Sequence, residues 1–466
     1  MRSVVAAFAL AACHPASAPS TPVEQAGPTT PTGPTTVIEL PTGTPDPDEI
    51  RLNPTLLYQT VDGVGANAYN HVVDGDDGWD WDAVRFVYDE LDIAYVRLVS
   101  WHIWWETLND NDDPYDINWD GFQTTYTIID DHDVVHAQYL VERDIEVMAG
   151  LWNVMPWLAP GDLPEIAPAD YPELGELLAS YILHMRNNGI PMDTIEVQNE
   201  PSYNHIHYDE PEDLVAASKV VLEMFDHFGL TDVQLHGPNN FTAEVTPSWA
   251  RAWFADEELT ARTRALSFHT WWSLEEQPYL DIREIAEAAD RPVWATEVGH
   301  CADGDNGCGA NVMEPWTWGT AWDWALAYYR TYSWAHASRV YHWSLTGYDS
   351  AVSRSGERYP AFYSLKHFAN YISPESRMMD VASGDADVLV LGFLRSDGDL
   401  TVILLNTGST EVQMRLTTVL DQDLSVSTAA TSVDGAYDRE LQYANSGGLS
   451  VILPPQSINS AILTSR

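Results

Sequence analysis

Short apolar runs recur through the middle of the chain, at 93–98, 145–151, 194–197, 233–235, 265–268, 293–295 and 340–342. Runs this continuous suit strands covered on both faces, as in a parallel sheet. With 61–65 they make eight. Between them, 174–186, 211–227 and 321–337 repeat apolar positions at helical spacing. Eight strands alternating with helices over about 300 residues predict a (β/α)8 TIM barrel, whose reactive residues sit where strands end. Near residue 370 the pattern changes. Segments 387–393, 400–406, 412–420, 449–453 and 458–464 read as short strands, the first two joined through Ser396-Asp397-Gly398-Asp399, a hairpin signal. The reading is a catalytic barrel over 49–375 and an antiparallel β-sandwich side domain over 376–466, joined by strand residues near 50–60. All 19 tryptophans lie between Trp79 and Trp343, which supports the division.

The N-terminus has no place in either unit. Arg2, the apolar run 4–10 and Leu10-Ala11-Ala12-Cys13 read as a lipoprotein signal peptide over 1–13, with Cys13 receiving lipid. A competing cut after Ala16-Ser17-Ala18 would release a soluble secreted protein, and both readings export the chain. Residues 14–48 hold nine of the 28 prolines, many Thr and few large apolar side chains, and read as an extended linker.

Composition narrows the function. Asp and Glu total 70 against 22 Lys and Arg, a formal charge of −48. Such a surface repels phosphate backbones and anionic membranes, so no nucleic-acid partner is expected, and the membrane is met only through the N-terminal lipid. No stretch is long and apolar enough to span a bilayer as a helix. The acidic segments 74–82 and 109–120 lack the spaced pattern of a calcium loop and read as solvated loops.

Two glutamates stand at strand ends. Thr194-Ile195-Glu196-Val197-Gln198-Asn199-Glu200-Pro201 is a strand stopped by Asn-Glu-Pro, and a second such run, Pro292-Val293-Trp294-Ala295-Thr296-Glu297-Val298-Gly299, puts Glu297 at an equivalent strand end. As barrel strands four and seven they would bring Glu200 and Glu297 together across the mouth, the pairing that glycosidic cleavage needs. Gln198-Asn199-Glu200-Pro201 and Trp294-Ala295-Thr296-Glu297 resemble the acid/base and nucleophile strands of clan A retaining glycoside hydrolases. Gln59-Thr60-Val61-Asp62-Gly63-Val64-Gly65, the segment 363–372 and the trailing β-domain bring the resemblance nearest to glycoside hydrolase family 30, over roughly residues 50 to 466. The chain departs from the family where it has Gly63-Val64-Gly65 for Gly-Phe-Gly and Pro374-Glu375 for Pro-Gly.

The resemblance implies a retaining, endo-acting β-glycoside hydrolase of xylanase, β-glucanase or β-1,6-galactanase type, with a polysaccharide or oligosaccharide substrate and no cofactor or metal. It implies Glu297 as nucleophile and Glu200 as acid/base, with the charge of Glu297 raising the pKa of Glu200. It also implies Asn199 at the sugar 2-hydroxyl, Arg97 holding the nucleophile ionised, and Trp343 as platform under the scissile sugar. His269 resembles the polar residue ending strand six. Trp101, Trp104, Trp105, Trp152, Trp157, Trp271 and Trp272 follow strand ends, and indole faces suit the C–H faces of sugars, so Trp152 and Trp271 join the substrate-binding set. Cys301 and Cys308 bracket a loop after the nucleophile strand and are expected to form a disulfide in an exported protein. The alternative function is a non-catalytic carbohydrate-binding surface lipoprotein that keeps the barrel and its aromatic cleft.

Overall fold

The computed structural model describes residues 44–465 except 76–77, 101–103, 123–125, 162–163, 204–205, 300–313, 348, 421–422 and 446–447, and side chains 126, 127 and 465. The chain begins in one sheet, builds a barrel and returns to that sheet. Strand β1 (Glu49–Asp62) leads to eight parallel strands: β2 (Val64–Tyr69), β3 (Ile93–Val99), β4 (Glu146–Gly150), β5 (Thr194–Glu196), β6 (Gln234–Asn240), β7 (Thr263–His269), β8 (Val293–Val298) and β9 (Ala337–Thr346). They close in sequence order, with β9 pairing back onto β2. Helices Tyr171–Asn187, Pro211–His227, Glu276–Ala288 and Trp318–Ser333 return the chain between strands.

All eight expected runs carry a barrel strand, with local differences. The expected strand over 61–65 is split: Val61 and Asp62 finish β1, and Gly63, at φ 89°, turns the chain into the barrel. The expected helix over 321–337 instead spans Trp318–Ser333, because Thr317 caps it early by accepting from the Thr320 N–H, and Ala337 opens β9.

Strands β10 (Pro374–Ser383), β11 (Val388–Leu394), β12 (Leu400–Asn406), β13 (Val412–Thr418), β14 (Leu424–Val433), β15 (Ala436–Arg439), β16 (Tyr443–Ala444), β17 (Leu449–Leu453) and β18 (Ser457–Ser465) complete the side domain. Strand β1 lies inside this sheet, antiparallel to β10 and parallel to β13. The two-residue period of a strand explains how the domains join. On β11 and β12, Val388, Val390, Val402 and Leu404 enter the sandwich core, while Leu391, Phe393, Ile403 and Leu405 join the barrel's.

Inside the barrel, Tyr95, Met148, Ala265, Trp294 and Tyr341 form an apolar plug. Arg339 sits against it, its guanidinium 4.6 Å from the Trp294 ring and bonded to both oxygens of Glu146 at 2.8 Å. With this end filled, the polar interior lies further along the strands, toward their C-terminal ends.

Candidate active site

Alternation on β3 places Tyr95 in the plug and Arg97, two residues on, in the layer above. Arg97 is buried and gathers four strands. One nitrogen donates to Glu297 Oε1 at 2.7 Å and Asn67 Oδ1 at 2.8 Å; the other donates to Glu196 Oε1 at 2.5 Å and Asn199 Oδ1 at 2.6 Å. The Trp152 ring lies 4.1 Å from the guanidinium carbon. A planar, permanently charged fork suits such a junction, where an ammonium would not.

Glu297, near the end of β8, also accepts from Trp271 Nε1 at 3.1 Å through Oε2. Glu200 follows β5 in a left-handed turn, φ 51°, and its N–H donates to the Asn239 carbonyl at 3.2 Å. His269, ending β7, places Nδ1 2.9 Å from Glu200 Oε1 and 3.3 Å from Glu297 Oε2. One ligand atom from each of these three residues lies within 4.8 Å of the other two. Burial pushes the His269 pKa down to about 3, so the ring is neutral; its Nε2 is buried without a partner among the described residues, and the proton belongs on the nitrogen facing the carboxyls. Burial pushes the Glu297 carboxyl upward and the charge of Glu200 adds to this, while the Arg97 guanidinium pulls it back. The trio could embrace a cation, but Arg97 already supplies positive charge to Glu297.

Of the residues singled out in the sequence, the fold brings together Glu200, Glu297, Arg97, Asn199, His269, Trp152, Trp271 and Trp343. Trp343 packs against Tyr69, Trp152 and Trp271 with ring centroids 5.8, 6.4 and 6.2 Å apart. Trp105 is corrected: it is a core residue, packed on Phe122 and Tyr181 and donating to Ser180 Oγ at 2.9 Å. Trp157 donates to the Glu106 carbonyl, and Trp104 is exposed. Trp101, Cys13, Cys301 and Cys308 lie outside the described residues.

Three members were not singled out. Glu196 is a third buried carboxyl, held by Arg97 on one oxygen and by Asn239 Nδ2 on the other. Asn239, at φ 63°, accepts from Thr296 Oγ1, and Asn67 Nδ2 donates to the Thr296 carbonyl at 2.9 Å. The signal for Glu196 was present: Ile195 and Val197 pack outward, so Glu196 between them must face the interior.

The comparisons with known proteins agree with this architecture. Residues 376–461 match the model of the glycosyl hydrolase family 30 beta sandwich domain. The fold resembles that of a GH30 endoxylanase from Clostridium papyrosolvens C71, at 17% identity over 90% of this chain and 100% of that one, TM-score 0.70. It also resembles the catalytic domain of GH30 xylanase C from Talaromyces cellulolyticus (16%, 89% and 100%, TM-score 0.68) and the endo-β-1,6-glucanase BT3312 (14%, 90% and 95%, TM-score 0.64). No curated protein matches the sequence. Residues 376–461 thus carry the match to the glycosyl hydrolase family 30 beta sandwich domain, and the barrel joined to them has the fold seen in the solved GH30 xylanases.

Proposed function

We propose that the protein is a retaining, endo-acting β-glycoside hydrolase that cleaves a polysaccharide by double displacement. The observation that carries this reading is the approach of Glu200 and Glu297, whose nearest ligand oxygens lie within 4.8 Å. Retaining enzymes hold their carboxyls about 5 Å apart, whereas inverting ones leave roughly 6.5–9.5 Å for a water. In the first step Glu297 attacks the anomeric carbon and Glu200 gives its proton to the departing oxygen. In the second, Glu200 takes a proton from the water that attacks the same carbon, and Glu297 leaves. Arg97 works for the anionic form of Glu297 against the cost of burial. Asn199 Oδ1 is engaged by Arg97, and its amide nitrogen is the group available to a sugar hydroxyl.

Xylan, β-glucan and β-1,6-linked galactan are the substrates to test, since the similar solved structures include endoxylanases and an endo-β-1,6-glucanase. The lipobox cysteine Cys13 and its apolar leader support export to the cell surface, where such polymers are met. The test is reducing-sugar release from these polymers by the full chain and by Glu297→Gln, with NMR of the first product's anomeric configuration. Activity lost in the variant, with a β-configured first product, supports the proposal. Retained activity in Glu297→Gln, or an α-configured first product, overturns it.

A further inference from the structure

Two groups of aromatic rings flank the carboxyl pair, and they differ in exposure. Beside the nucleophile, Tyr69, Trp152, Trp271 and Trp343 surround one another, each no more than 9% exposed. Beside Glu200, Tyr203 stacks on Phe241 with centroids 4.4 Å apart and planes at 29°. Trp272 meets both edge-on, at 6.2 Å from Tyr203 and 5.9 Å from Phe241. Tyr203 is 57% exposed.

The second group is tied to the reacting residues through the backbone. The Tyr203 N–H donates to the Glu200 carbonyl at 2.9 Å, and the Trp271 N–H donates to the Phe241 carbonyl at 3.1 Å. The three rings come from the segments that follow β5, β6 and β7, so Glu200, His269 and the shelf share their supports. Rings stacked on one another are ordered before anything binds, which lowers the entropy lost on binding. An aromatic ring left this open, beside a site, offers apolar face to a ligand.

We infer that Tyr203, Phe241 and Trp272 form the binding shelf for the leaving-group part of the substrate, and that this part is a neutral sugar. The inference rests on the hydrolase reading above. The acid delivers its proton to the leaving oxygen, so the leaving group lies on the side of Glu200, where the shelf is. The nucleophile's side is lined by the buried rings, which suits the enclosed sugar that becomes covalently held. The three connecting segments that carry the shelf, 197–210, 241–245 and 270–275, hold Asp209, Glu210, Glu244 and Glu275 besides Glu200 but no Lys or Arg. A uronic acid at that position would meet like charge, whereas an uncharged pyranose would lay its C–H face on the rings. The open edge at Tyr203 leaves room for a chain that continues past the first leaving sugar.

The experiment compares wild type, Tyr203→Ala and Tyr203→Phe on a neutral polymer that the enzyme cleaves and on the aryl glycoside of the same glycone. A phenolate leaves without a sugar on the shelf, so the ratio of kcat/KM for polymer to that for aryl glycoside isolates the shelf's contribution. For Tyr203→Ala the ratio falls about tenfold, the effect of one stacked ring, and Tyr203→Phe restores it. A neutral oligosaccharide added to the aryl glycoside reaction is also taken as acceptor by the wild type, and Tyr203→Ala loses this capture. Equal loss on both substrates, with the ratio and acceptor capture unmoved, overturns the shelf and leaves the hydrolase reading standing. A wild type that cleaves neither polymer nor aryl glycoside overturns both.

Discussion

Glu176 lies buried in the helix Tyr171–Asn187, and neither of its carboxylate oxygens accepts a hydrogen bond from the described residues. Its charged neighbours are Asp110, Glu106 and Glu173, all carboxyls. Burial, reinforced by their repulsion, pushes the Glu176 pKa from 4.5 up to about 9, and a protonated Glu176 finds an acceptor in Glu173. The folded protein therefore keeps a proton that the unfolded chain loses. For a carboxyl shifted in this sense, the stabilising effect is complete below about pH 4.5 and is lost as the pH rises through about 9. One pKa unit is about 1.4 kcal/mol, so holding Glu176 neutral at pH 7 costs about 3 kcal/mol. Solvent screening and coupled titration of Glu106, which burial pushes up to about 8, reduce this to roughly 2 kcal/mol. Glu176→Gln keeps the shape and a neutral donor while removing the proton that must be held. The variant is expected to exceed the wild type by about 2 kcal/mol at pH 7 and to match it near pH 4.5, in urea unfolding followed by tryptophan fluorescence. A variant no more stable than the wild type at pH 7 would refute the reasoning, because the carboxylate would then be ionised and compensated.

Two further outcomes are expected. In Arg97→Lys, the loss of the fork that meets Glu297, Asn67, Glu196 and Asn199 lowers kcat/KM by about 100-fold. Because Arg97 pulls the Glu297 pKa down, the acid limb of the pH–rate profile also moves to higher pH, and a limb that stays in place would remove Arg97 from this role. His367, which joins Ser460 at 2.7 Å and Ser432 at 2.9 Å, couples the helix Pro360–Ala369 to the sandwich, and His367→Ala loses about 2 kcal/mol at pH 7. Burial holds the His367 pKa down at about 3, so its contribution is complete above about pH 6.5 and lost as the pH falls toward 3; urea unfolding across that range should show a shallower slope in the variant.

The barrel strands were legible because each is an apolar run buried against both the plug and the outer helices, and the same holds for β11 and β12, covered on one face by each domain's core. Strand β14 was not, since Ser425, Ser427 and Thr428 interrupt its apolar positions and it pairs along β18 near the sheet's edge. Strand β10 was hidden for a different reason. Its Arg377 and Asp380 read as loop residues, and its longest pairing is with β1, more than 300 residues earlier in the chain, as in Ile50 with Ser383. A local pattern carries no information about a partner so distant.

The candidate site divides along the same line. Glu200 and Glu297 could be found because each stands within a few residues of the end of an apolar run, Glu200 directly before Pro201 and Glu297 two residues before Gly299, and neighbouring features are what a sequence displays. Glu196, Asn67 and Asn239 belong to the site only through Arg97 and Thr296, which reach them from β3 and β8. Glu196 adds a second negative charge to the same guanidinium that serves Glu297, and its own carboxyl is pushed up by burial while Arg97 pulls it down. Two buried carboxylates therefore draw on one positive charge. Glu196 thus shares the cation of the proposed nucleophile from a position that touches neither Glu297 nor, in the reaction proposed, the substrate, and Glu196→Gln is expected to leave Arg97 to Glu297 and move the acid limb of the pH–rate profile to lower pH.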